Sequence, residues 1–265
     1  MKISIVIQYY NRRYQLLNTI SSINQSSIKH QAEIIVVDDA SIIDHDISDL
    51  PEMYPDLNFK IHRFTPEEKW WSCPVIPINK GISMATGDAV ILLCGECMFV
   101  GDILKDVAEQ IHPNKYLVYA TLSLNSSDTM KISMMSYDDI LTKPFGATAP
   151  PGYNGGWYQH SEIRNTGFNF CTAIMREDLS ELGGFDERFG WGASHGDDNF
   201  LDRIKIKGMD IVSIDLPMTY HQYHEPMLTH PVTDQPVDGA LLNITRTEPG
   251  YKVHNSFIGN NENNL

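Results

Sequence analysis

The stretch AVILLCGEC, residues 89–97, decides how this chain is read. An apolar run reaches Cys94 and stops at Gly95-Glu96, leaving a carboxylate between two cysteines. A short apolar run that ends on turn residues is the pattern of a strand buried on both faces. Redox CxxC thiols usually sit at a helix N-terminus, where the thiolate is stabilised, whereas Cys94 ends a strand. One CxxC without a second Cys or His pair at matching spacing is weak evidence for zinc. Cys94 and Cys97 are therefore expected to be small, buried, inert thiols. Glu96 is different, because a carboxylate one step past a buried strand is either solvated or a ligand.

Other apolar runs lie on both sides. Ile3–Ile7, Glu33–Val37 and residues 59–64 (FKIHRF) read as strands. Leu16, Leu17, Ile20 and Ile23 recur at helical spacing behind Asn11, a residue suited to cap them. Asn79–Thr86 and Asp102–Ile111 read as helices. Strands alternating with helices predict an α/β fold with a mostly parallel sheet. Ligands gather at the carboxyl ends of the strands in such sheets. Three of those ends are polar here: Gln8-Tyr9-Tyr10-Asn11, Asp38-Asp39 and Glu96. Residues 123–167 read as loop-rich. A strand over 168–175, a helix over 177–182, a helix over 197–207 closed by Gly208, and a strand over 209–215 follow. The tail from about residue 228 is polar and without period.

With 265 residues, 42% of them hydrophobic, the chain is long enough for one sizeable core. Its formal charge of −14 argues against a sequence-independent grip on nucleic acid, which depends on Lys and Arg neutralising phosphates. Four cysteines do not make a disulfide framework. The N-terminus turns polar too soon for a signal peptide, and no apolar run approaches the ~18 residues that would cross a bilayer. A cytosol-like compartment is the expectation. No GxGxxG follows the first strand and no GxxxxGK[ST] occurs, which disfavours dinucleotide-binding dehydrogenases and P-loop enzymes.

The helix over 197–207 opens with two acids. Asp197 shares a face with Phe200, Leu201 and Ile204, at +3, +4 and +7, and is expected to point toward the packed side. Asp198 lies over Asp202 and Lys205. A carboxylate aimed inward beside apolar residues can act as a general base. His221 and His224, beside aromatics after a strand, could supply imidazole to a metal. Trp70, Trp71, Trp157 and Trp191 fall in segments read as loops, where an aromatic face packs in a core or stacks on a sugar.

Taken together, SIVIQYYNRRYQLLNTISSI, EIIVVDDAS, NKGISMATGDAVILL, FNFCTAIMREDLSELGGFDERFGWG, HGDDNFLDRIKIKGM and YHQYH resemble a family 2 glycosyltransferase of the GT-A fold over roughly residues 2–225. The segment around Asp197 is similar to the catalytic segment of inverting members, including animal galactosyltransferases. The resemblance implies a GT-A domain over 1–228, with a nucleotide-sugar half at 1–122, an acceptor half at 123–228 and an extension at 229–265. It implies that Gln8, Tyr10 and Asn11 line the nucleotide and that Asp39 contacts its base, with Asp38 left to the ribose or the loop. Asn79 and Lys80 would approach the donor. Asp197 would be the base with Asp198 beside it, and Trp191, with Trp157, would stack on sugars. The family usually carries Asp-x-Asp after the fourth strand; here the place reads Cys94-Gly95-Glu96. Glu96 would then hold Mn²⁺ or Mg²⁺ together with His221. The implied activity is hexosyl or N-acetylhexosaminyl transfer from a nucleotide-diphosphate sugar, such as a UDP-sugar, to a glycan or other hydroxyl. If that acceptor is lipid-linked, the enzyme would work at the membrane's cytosolic face. A non-catalytic sugar-binding module, a nucleotidyltransferase and a glycosyltransferase acting on modified nucleic acid are the rival readings.

Overall fold

The computed structural model describes residues 1–142, 145, 154–191, 195–225, 243–247 and 250–254. Its first half alternates as the apolar runs require: β1 (Ile3–Tyr9), α1 (Arg13–Ile23), β2 (Ala32–Asp38), α2 (Leu50–Met53), β3 (Asn58–Arg63), α3 (Val75–Met84), β4 (Ala89–Cys94), β5 (Cys97–Val100) and α4 (Ile103–Gln110). Next come β6 (Lys115–Ser123), α5 (Ser126–Ile132), α6 (Tyr137–Thr142), β7 (Trp157–Gln159), β8 (Cys171–Met175), α7 (Arg176–Leu182), α8 (Gly196–Lys207) and β9 (Asp210–His221). β10 (Asn243–Thr247) and β11 (Gly250–His254) pair as an antiparallel hairpin, inside the tail whose sequence shows no period. The expected domain boundary at 228 lies outside the described residues.

Three expectations need correction. Asn11 does not cap α1; the N-cap is Arg12, without a side-chain bond. Asn11 instead takes a left-handed backbone, φ 51°, accepts a hydrogen bond from the Ile42 N–H at 2.8 Å and donates its own N–H to Ser41 Oγ at 2.9 Å. The helix expected over 79–86 starts earlier, at Val75, because Pro77 in a first turn lacks only an N–H that would be unpaired anyway. The region read as loops from 123 holds α5 and α6. They are too short to show a period, and α5 is capped by Asn125, which accepts from the Asp128 N–H at 2.8 Å.

The sheet order is β3-β2-β1-β4-β8-β6-β9-β5, with β7 on β6. β1 pairs in parallel with β2 and β4, and β2 with β3. β8 is antiparallel to both β4 and β6, and β9 is parallel to β6. Hence β6 and β9 run the same way as β1–β4, while β8 and β5 run against them. One end of the sheet therefore collects the last residues of β1, β2, β4 and β9 together with the first residues of β5 and β8. Only Gly95 and Glu96 separate β4 from β5, yet these strands are far apart in the order, so the sheet curls.

β1 is buried on both faces. Ile3, Ile5 and Ile7 pack with Leu16, Ile20 and Ile23 of α1 and with Ile103, Leu104 and Val107 of α4. Val6 packs on the opposite face with Val75 and Ile78 of α3 and with Phe200, Leu201 and Ile204 of α8. At about 1.5–3 kcal/mol for each large apolar side chain fully buried, these two layers dominate stability. A third cluster joins Met98, Leu122, Met218 and Tyr220 to Ile132 and Ile140 of the short helices. Among the described residues no helix is long and apolar enough to cross a membrane.

Candidate active site

Glu96 stands at the turn between β4 and β5, and His221 ends β9 directly across from Cys97. The curl thus joins two distant stretches of sequence. Glu96 Oε1 lies 2.7 Å from Arg12 Nη1, 3.6 Å from His221 Nε2 and 3.4 Å from His224 Nε2. Burial opposes charge on Glu96, but the Arg12 guanidinium and then the two imidazoles outweigh it, holding the carboxyl well below the usual range. Burial, against the pull of Glu96, lowers His221 to about 4, so its ring is neutral at pH 7 and offers a lone pair. Tyr158 stacks on that ring at 4.5 Å between centroids and fixes its plane.

One ligand atom each from Glu96, His221 and His224 falls within 4.8 Å of the others. A carboxylate, the neutral imidazole of buried His221 and the imidazole of half-buried His224 fit a divalent cation, and the imidazoles favour Mn²⁺ over Mg²⁺. Of the four cysteines, Cys73, Cys97 and Cys171 are buried and Cys94 half-buried, and all are free. Burial pushes the Cys97 and Cys171 thiols up, away from nucleophilic thiolate.

Asp197 opens the first turn of α8. Gly196 lets this turn press against the start of α3, since a Cβ there would meet Val75 Cγ1 at 2.7 Å and Cys73 Sγ at 3.3 Å. Phe200, Leu201 and Ile204 are buried, so Asp197 sits on the packed face. Burial, and next the charge of Asp198, raises its carboxyl to about 7. Asn169 is buried and, with its amide nitrogen turned inward, donates to both Asp197 oxygens, the longer contact being 3.3 Å. The backbone of the same segment holds the other corner, with the Cys94 N–H donating to Phe170 O at 3.0 Å. Asp198 turns away to His195 Nδ1, at 3.1 Å.

The residues expected on the nucleotide side divide into two groups. Tyr10 and Asp39 come together through Lys69, whose ammonium lies 3.5 Å from the Tyr10 ring centroid and 2.9 Å from Asp39 Oδ2. Trp71 Nε1 donates to Asp39 Oδ1 at 2.7 Å. Gln8 donates to Cys94 Sγ at 3.1 Å, beside the Glu96 turn. Asp38 is fully buried and accepts from the Ser41 N–H at 2.8 Å through Oδ1, which ties down the loop after β2. Asn79 is engaged elsewhere, exchanging two 2.8 Å bonds with the backbone of Phe185. Lys80 follows it on α3, near His62 of β3. Trp191 is exposed and lies against Trp70 at 4.7 Å between centroids. Trp157 packs on the third core cluster, edge-on to His160.

The sequence profile described as "Glycosyltransferase like family 2" matches residues 4–234. The chain belongs to this family. Its curled sheet is that of the GT-A fold. The 1–349 portion of S. aureus TarS, solved in complex with UDP-GlcNAc, is similar over 88% of this chain and 61% of that one, at 17% identity and a TM-score of 0.61. The mannosyltransferase PcManGT of Pyrobaculum calidifontis, solved with GDP-Man and Mn2+, is similar over 83% of this chain and 56% of that one, at 17% identity and a TM-score of 0.52. The chain spans 37% of the longer TarS structure. No curated protein matches the sequence.

Within this family fold, sequence reasoning named Glu96, His221 and Asp197, with His224 offered as a second imidazole and Asp198 beside Asp197. Arg12 and Asn169 carried no signal, because each meets its partner only through the tertiary fold.

Proposed function

We propose that this chain is an inverting glycosyltransferase that moves a hexosyl or N-acetylhexosaminyl group from a nucleoside-diphosphate sugar, UDP-sugars first, to a hydroxyl of a glycan or other acceptor. The observation that carries this reading is the pairing, at one end of the sheet, of a charged carboxylate among imidazoles with a carboxylate whose pKa is near neutral. The first fits a metal–diphosphate corner and the second fits a general base. The donors bound in TarS and PcManGT, and the Mn2+ in the latter, point the same way.

Asp197 would take the proton of the acceptor hydroxyl as its oxygen attacks C1 of the sugar. The bond from C1 to the β-phosphate oxygen breaks on the opposite side, its electron pair leaves with the diphosphate, and the anomer inverts. Asn169 holds Asp197 in place for this transfer. Glu96, His221 and His224 would hold a divalent cation, which when bound supplies Lewis-acid neutralisation of the leaving diphosphate. Arg12 adds positive charge beside that corner.

The test is nucleoside-diphosphate release from UDP-, GDP- and dTDP-sugars with Mn²⁺ and then with EDTA, alongside calorimetry for donor binding. Release from one donor that is lost in EDTA and restored by Mn²⁺ supports the proposal. Donor binding without turnover in the presence of acceptors favours the binding module, and pyrophosphate release favours a nucleotidyltransferase.

A further inference from the structure

The two segments that carry Glu96 and the histidines meet across α1. The helix face toward them holds Gln15, Asn18, Thr19 and Ser22, a polar stripe at 3–4 residue spacing with Thr19 and Ser22 fully buried. Thr19 Oγ1 donates to Gly95 O at 2.9 Å, Ser22 Oγ accepts from the Phe99 N–H at 2.9 Å, and Gln15 Nε2 donates to Tyr223 O at 2.8 Å. At the centre lies Gln222, fully buried between the two histidines in sequence. Its amide nitrogen lies 2.9 Å from Gln15 O, 3.1 Å from Glu96 O and 3.4 Å from Thr19 Oγ1. Its Oε1 accepts from Asn18 Nδ2 at 2.7 Å, and its backbone N–H donates to Glu96 O at 3.1 Å. Gln222 thus bonds the Glu96 backbone through both its main chain and its side chain.

A buried amide commits a segment to one register, since any slip leaves several donors and acceptors unpaired away from water. We propose that Gln222 is a positioning residue, holding the Glu96 turn and the His221–His224 segment at the separation that a divalent cation requires. This rests on reading Glu96, His221 and His224 as a metal site. Residues that orient metal ligands typically contribute 10–100-fold to affinity.

The test is Mn²⁺ titration of the full chain, following loss of the free-ion EPR signal, for the parent, Gln222→Met, Asn18→Ala and Glu96→Gln, with circular dichroism and Tm on the same samples. Gln222→Met keeps the length and removes the amide; Mn²⁺ should bind it about 10–100-fold more weakly, with an altered bound-ion spectrum. Asn18→Ala removes only the anchor on Oε1 and should weaken binding roughly threefold. If Gln222→Met lowers Tm but binds Mn²⁺ as tightly as the parent, Gln222 serves the fold alone and the proposal is overturned. If Gln222→Met does not fold, Asn18→Ala decides, and parent-like affinity there overturns the proposal. If the parent itself binds Mn²⁺ no better than Glu96→Gln, the metal reading fails first and this inference falls with it.

Discussion

Glu96 is buried and Asp197 half-buried at the same end of one sheet, yet their surroundings drive them in opposite directions. Around Glu96 the fold places a guanidinium at 2.7 Å and two imidazoles within 3.6 Å, so the charge survives burial. Around Asp197 burial comes first and the neighbouring Asp198 carboxylate adds to it, so the proton is held up to about pH 7. Burial raises both; at Asp197 it is the main cause, and at Glu96 it is outweighed. What separates them is whether a cation has been supplied. Two carboxylates pushed apart in this way are fitted to different tasks, one to hold a cation and one to exchange a proton.

The largest expected effect follows from the proton-exchanging member. Asp197→Asn keeps the shape and removes the base, so transfer should fall about 10²–10⁴-fold while donor binding persists, measured by turnover and calorimetry. Parent-like turnover would erase the functional half of the contrast. Glu96→Gln comes next. It removes a charged ligand, so Mn²⁺ affinity should fall by at least the ~10–100-fold seen when a supporting residue is lost. Unchanged affinity would mean that the imidazoles hold no ion with it.

The contrast was only partly legible in the sequence. Apolar runs placed β1, β2 and β4, and their ends pointed to Glu96 and Asp39. The +3, +4, +7 spacing placed Asp197 on the packed face of α8. These are local signals, carried by periodicity along one element. β6 was not anticipated, and the guanidinium and imidazoles around Glu96 arrive from the N-cap of α1 and from the end of β9 and just past it, joined only by the curl of the sheet. Asn169 meets Asp197 from the segment before β8 for the same reason. What a carboxylate will do depends on such neighbours, so its chemical character could not be read where its position could.

Arg12 sharpens the comparison further. It contacts the same Glu96 oxygen that the imidazoles face. Arg12→Met should leave a buried uncompensated charge, a change that typically costs about 3–5 kcal/mol. Mn²⁺ should restore much of the lost Tm by taking the guanidinium's place, whereas the parent should gain less. A variant that melts like the parent, with or without Mn²⁺, would show that Glu96 does not need a cation to stay charged. The pH profile is a gentler probe. With Asp197 near 7, kcat/KM should fall about tenfold per pH unit well below that point and level off above it. A profile flat from pH 5 to 8 would remove Asp197 as the base.

The smallest effects are on stability, and they test the contrast without any substrate. Asp197 is raised to about 7 in the fold, against ~3.9 for an unfolded chain. Its protonated form favours the native state, so that contribution is complete below about pH 4 and declines as pH rises to 7. Asn carries no charge at any pH. The Tm of Asp197→Asn should therefore match the parent near pH 4, exceed it increasingly up to pH 7, and stay a few degrees higher at pH 8. Glu96 is depressed in the fold, so its contribution is present above its unfolded value and lost as pH falls through the native one. Glu96→Gln should therefore melt below the parent at pH 8, with the deficit shrinking toward acid. Two conservative carboxylate-to-amide changes at one end of a sheet should thus move Tm in opposite directions at pH 8. If both lower it, Asp197 is compensated by a partner as Glu96 is, and its near-neutral proton has no structural basis.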